Sequence, residues 1–211
     1  MIYEPKVFGG GCGRSEFSKH HAIAKTTEKS IVQDLDLIDL PEEVKREAQV
    51  IFNSMKVPTK RGTKRKRLLF FCINQAYVNL KQPKDPKMIA NQLGIKSTDI
   101  SKSSSMCSSS QTGYKPVPTF YHPIDFIPDY MKAVGLDESC VESVKKLGHE
   151  VLQRAPDLTD EYPQVVAAGL LLYYMIIHGI TVNRKEFAGK VLRSEMTISK
   201  MYKRISEIHN G

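Results

Sequence analysis

Cysteine is scarce in this 211-residue chain, and its spacing excludes two common uses of it. Cys12, Cys72, Cys107 and Cys140 include no CxxC pair and no two at short spacing, which argues against a zinc ribbon and a disulfide framework. Free thiols in a reducing compartment are expected. Long hydrophobic runs are also missing. The longest, Val165 to Ile177, is interrupted by Gly169 and falls short of a membrane span, so it predicts a buried core helix and no membrane partner. No charged-then-apolar leader opens the chain, and an intracellular protein is expected. Glycine clusters at Gly9-Gly10-Gly11-Cys12-Gly13, but a phosphate loop needs a strand before it and Lys-Ser/Thr after it. Signatures of catalysis are lacking too. His20, His21, His122, His149, His178 and His209 form no metal-spaced pair with cysteine or carboxylate. Nucleophile elbows, kinase signatures and paired carboxylates do not appear. No enzyme, cofactor, metal or small-molecule substrate is therefore expected.

What is present is helical periodicity. Residues 1–29 form a polar arm, expected to be flexible. From residue 30 onward no strand-like alternation interrupts the helical pattern. A short helix is predicted over Ile31 to Ile38, and Pro41 opens a second, with Glu42 and Glu43 favourably placed in its first turn. A third starts near Thr63 and runs to Leu80. Asp85-Pro86 is a strong start for a fourth, which Gly94 ends. The serine-rich run 101–110 competes with a fifth helix, because serine hydroxyls bond backbone groups. We expect a helix over 97–107 and a loop after it. Gly113 to Pro123 connects the halves, and the pattern restarts with helices over Ile124–Val134 and Asp137–Gln153. A third is capped by Thr159-Asp160-Glu161 and runs to Gly179. Asn183 with Glu186, and then Ser194, open the last two.

The chain is thus expected to be all-α: five helices, a linker and five helices. An offset of 98 residues matches Ala90 with Ala188, Ile100 with Ile198, Ser101 with Ser199 and Lys102 with Lys200. That register marks an internal duplication.

The formal net charge of +8 is unevenly placed. Residues 40–113 carry +9, whereas residues 122–211 carry −1. Its sharpest concentration is Lys60-Arg61-Gly62-Thr63-Lys64-Arg65-Lys66-Arg67. Cations at a helix start oppose the dipole, so a benefit elsewhere is implied, and phosphate neutralisation supplies one. A localisation signal or a solvated face are the plainer alternatives. The turn at Arg193-Ser194 gives helix-turn-helix connectivity, and the last helix would present Thr197, Ser199, Lys200, Lys203 and Arg204 to a groove. Arg184 and Lys185 are placed to touch backbone phosphates, and by repeat symmetry so are Lys96, Thr98, Ser101 and Lys102.

Several segments, in order, resemble the core of transcription factor IIB. These are Ile38-Asp39-Leu40-Pro41, the basic turn Lys60-Arg61-Gly62-Thr63-Lys64, Phe126-Ile127-Pro128-Asp129-Tyr130, Val165-Val166-Ala167-Ala168-Gly169-Leu170 and Met196-Thr197-Ile198-Ser199-Lys200-Met201-Tyr202-Lys203. The resemblance implies tandem cyclin-like five-helix repeats, at 30–113 and 122–211, joined by a linker at 114–121. It implies double-stranded promoter DNA, a TATA-binding protein and RNA polymerase as partners. It also implies a nuclear location, or a viral factory or virion for a viral chain. Residues 1–29 hold one cysteine where the family has a zinc ribbon, and Ser199 stands where the family has a base-reading arginine. The alternative is a cyclin-type regulator of a kinase, since one fold serves both.

Overall fold

Short polar side chains open three helices of this chain. Asp85 Oδ1 accepts from the Lys87 amide at 2.9 Å, Asn183 Oδ1 from the Lys185 and Glu186 amides at 3.1 and 3.2 Å, and Ser194 Oγ from the Thr197 amide at 3.2 Å. Each satisfies amides that the first turn of a helix leaves unpaired. The computed structural model describes residues 30–58, 60–118 and 120–211, so the polar arm and its glycine cluster lie outside the described residues. Those described are all-α and contain no strand.

The first half holds α1 (Val32–Asp36), α2 (Glu42–Ser54), α3 (Gly62–Asn79), α4 (Pro86–Gln92), α5 (Ser97–Met106) and α6 (Ser109–Thr112). The second holds α7 (Ile127–Val134), α8 (Val141–Arg154), α9 (Pro163–Ile177), α10 (Arg184–Lys190) and α11 (Glu195–Asn210). Each half has its own apolar core. The first gathers residues from Ile31 to Cys107 around α3, and the second gathers Ile124 to Ile205 around α9. From Val166 to Met175 every side of α9 is buried, as its uninterrupted hydrophobicity demands. No helix among the described residues is long and apolar enough to cross a membrane.

Two local expectations need correction. The segment after residue 107 is not a loop but the single turn α6. Thr112 Oγ1 donates to the Cys107 and Ser108 carbonyls at 3.3 and 3.1 Å, and the Lys56 amide donates to the Thr112 carbonyl at 3.1 Å. Thr159-Asp160-Glu161 does not cap α9. It lies in or just after a 3-10 turn, where Thr159 Oγ1 donates to the Pro156 carbonyl at 2.7 Å. Pro163 itself starts α9, at the position where a missing amide costs nothing. The serine run does hold a helix. Buried Ser103 bonds its hydroxyl to the Asp99 carbonyl at 2.7 Å, which satisfies it one turn back along α5.

The 98-residue register recurs in the backbone. Shifted by that offset, α4 falls on α10 and the start of α5 on the start of α11. The four-residue turns between them share three hydrogen bonds: Leu93, Gly94 and Ile95 donate to the Ile89, Asn91 and Ala90 carbonyls, and Val191, Leu192 and Arg193 donate to Phe187, Gly189 and Ala188. Gly94 and Leu192 occupy the same left-handed conformation, at φ of 61° and 54°. Glycine takes that conformation freely, whereas leucine pays a steric cost.

Candidate nucleic-acid interface

The basic run divides into two sets as α3 forms. Arg65 and Arg67 turn inward. Arg65 Nε donates to Asp34 Oδ2 of α1 at 3.0 Å. Arg67 Nε and Nη2 donate to Asp99 Oδ1 in the first turn of α5, at 3.0 and 2.6 Å. The hydrogen bond from Arg67 holds the Asp99 carboxyl below the usual carboxylate range, and the Lys96 amide adds to the effect. Lys60, Arg61, Lys64 and Lys66 form no ion pair among the described residues, and the last three of them are exposed. Lys66 lies against the α4–α5 turn: a Cβ on Gly94 would sit 3.5 Å from its Nζ. Lys66 is therefore a neighbour of the turn into α5, where Lys96 of the turn and Thr98, Ser101 and Lys102 of the helix are also exposed.

On the second half, α11 buries Ile198, Met201 and Ile205 against α9. The packing is close: a Cβ on Gly169 would lie 2.4 Å from Met201 Cγ. That contact fixes which face of α11 looks outward. Thr197, Lys200 and Lys203 are exposed, and Ser199 is half-buried. Arg204 is held by Asp157 and by Glu161, the latter at 2.9 Å. Lys185 is exposed in the first turn of α10, and the Arg184 guanidinium lies 5.2 Å from the centre of the Tyr202 ring.

Arg193 has a different place. Its side chain is 9% exposed and donates to Asp85 Oδ2 at 2.7 Å and to the Leu192 carbonyl at 2.9 Å. Asp85, wholly buried, also accepts from the Tyr130 hydroxyl of α7 while capping α4. One carboxylate thus joins α4 of the first half to α7 and the α10–α11 turn of the second. Burial, and then the Asp85 charge, push the Tyr130 phenol up. Lys84 and Asp129 make a second bridge between the halves, at 2.6 Å.

Arg65, Arg67, Arg193 and Arg204 are therefore committed to carboxylates within the chain. A phosphate contact by any of them would require an internal ion pair to break. Asp85 was legible in sequence only as a cap. Its role between the two halves had no sequence signal, because its partners lie 45 and 108 residues away.

Beside this junction is a cleft of about 440 Å³, walled by Asp85, Lys87, Ile100 of α5, Gln164, Arg193 and Thr197 of α11 among others. It lies between the two helices expected on DNA. Lys87 is the residue that sequence reasoning missed here; its only hint was its place one residue after the Asp85-Pro86 start.

Cys72 and Cys107 are buried free thiols, and burial raises the Cys107 thiol to about 11. Neither has the depressed pKa of a reactive cysteine.

No model of a known protein family matches the chain, and no curated protein matches it.

Proposed function

We propose that this protein is a DNA-binding transcription initiation factor of the transcription factor IIB type, built from two cyclin-like repeats and acting by binding rather than catalysis. The observation that carries the proposal is the pair of register-matched helix–turn–helix units, α4–α5 and α10–α11, each with exposed lysines that form no ion pair among the described residues. Such a unit places its second helix in a major groove. Lys60, Arg61, Lys64 and Lys66, before and at the start of α3, add contacts to phosphates, whose energy comes from counterion release. In this account the first repeat grips the backbone, the second inserts α11, and a TATA-binding protein and RNA polymerase complete the assembly. The nucleus, or a viral factory or virion, is the corresponding location.

A labelled promoter duplex, followed by fluorescence anisotropy with and without a TATA-binding protein, tests this. Binding at low salt that the TATA-binding protein strengthens is expected. Absence of binding with either protein alone or with both would overturn it. The cyclin-type alternative draws on one feature: Phe120 is 99% exposed and edges a groove of about 640 Å³ with Val78, Pro83 and Tyr121, a surface suited to a protein partner. It predicts a co-purifying kinase and only weak DNA binding.

A further inference from the structure

The cleft between the repeats holds more positive charge than its own acid can answer. Its walls carry Lys87 and Arg193 against a single carboxylate, Asp85. That carboxylate is spent: Oδ1 accepts from the Lys87 amide, and Oδ2 accepts from Arg193 and from the Tyr130 hydroxyl. Among the described residues the Lys87 ammonium has one polar contact, the Leu192 carbonyl at 3.4 Å, near the long limit for a hydrogen bond. No described carboxylate forms an ion pair with it. Partial removal from water disfavours an ammonium, and burial, and then Arg193, push Lys87 below the ordinary lysine range, against a smaller opposing pull from the Asp85 charge. The same cleft is lined by neutral hydrogen-bonding groups, the Gln164 amide and the Ser194 and Thr197 hydroxyls, which bond each other at 2.6 Å and so leave one O–H of the pair to donate. A cation with donors beside it, in a cleft open to solvent, suits a tetrahedral anion.

We infer that this cleft is a phosphate-binding site, which seats one phosphate between Lys87 and the hydroxyls of Ser194 and Thr197. The inference rests on the DNA-binding proposal only for the source of that phosphate. The cleft lies between α5 and α11, so a backbone phosphodiester of bound DNA would reach it; a free phosphate offers the same chemistry. Either way the anion would clamp the two repeats together, because Lys87 belongs to the first and Ser194 and Thr197 to the second.

The test uses 15N-labelled full-length protein titrated with inorganic phosphate at constant ionic strength. Amide signals from Ser194 to Thr197 are expected to move saturably. Binding should weaken about tenfold or more in Lys87→Met and return in Lys87→Arg, as expected for loss and restoration of a charge-assisted bond. Folding of each variant is checked by its remaining amide spectrum. Absence of saturable shifts in the native protein, or an equal response in folded Lys87→Met, overturns the site. The same variants are then compared on duplex DNA. A salt slope that falls by about 0.9 in Lys87→Met assigns the phosphate to the DNA backbone. An unchanged slope beside the lost phosphate response assigns it to free phosphate. Phosphate binding in a protein that binds no duplex would sink the DNA proposal and keep the site; duplex binding without a phosphate response would do the reverse.

Discussion

At the scale of single residues, Asp85 carries the most concentrated set of interactions. It caps α4, accepts from Tyr130 and pairs with Arg193, all away from solvent. Removing one member of a buried pair leaves the other charge uncompensated, at a cost of about 3 to 5 kcal/mol. Asp85→Ala should therefore lower stability by that amount in urea unfolding, and Asp85→Leu combined with Arg193→Met should recover much of the loss. Gly169 is a second such position. Gly169→Ala would set a methyl 2.4 Å from Met201 Cγ, and overpacking of this kind costs about 1 to 3 kcal/mol. Asp99 gives a pH dependence. Its folded pKa lies below the unfolded value, so its contribution is present above the unfolded pKa and is lost as pH falls through the folded one. Stability should fall on acidification below about pH 4, and Asp99→Asn should flatten that limb. None of these three roles could be assigned from sequence. A cap is visible locally, but burial and distant partners are set by tertiary packing.

At the scale of elements, sequence reasoning went far. Helix starts at Pro86, Arg184 and Glu195 follow from Asp85, Asn183 and Ser194, because a cap needs only residues two or three positions away. The failures share a cause. The α6 turn and the start of α9 depend on a threonine bonding backbone carbonyls and on proline geometry, which composition does not distinguish from a loop or a cap. The duplicated turn supplies a paired prediction. Gly94→Ala should cost about 1 kcal/mol, because φ is 61° there. Leu192→Gly, at the matching position, should have the opposite sign and stabilise by up to about 1 kcal/mol. Thermal unfolding of the two variants checks both.

At the scale of the whole molecule, the charge asymmetry seen in sequence acquires a direction. The excess over residues 40–113 is not spread evenly, for α3 turns Arg65 and Arg67 inward and leaves Lys60, Arg61, Lys64 and Lys66 without an ion pair among the described residues. Sequence could count those six cations but not sort them, because Asp34 and Asp99 lie 31 and 32 residues from their partners. The sorting makes the central claim testable by comparing two variants. The salt dependence of duplex binding is measured for the native protein, for Lys60, Arg61, Lys64 and Lys66 changed together to alanine, and for Arg67→Met. If these four touch phosphates, their loss should flatten the slope of log affinity against log salt by about 3 to 4, while Arg67→Met lowers stability and leaves that slope in place. A fourfold variant whose slope equals that of the native protein would contradict the account.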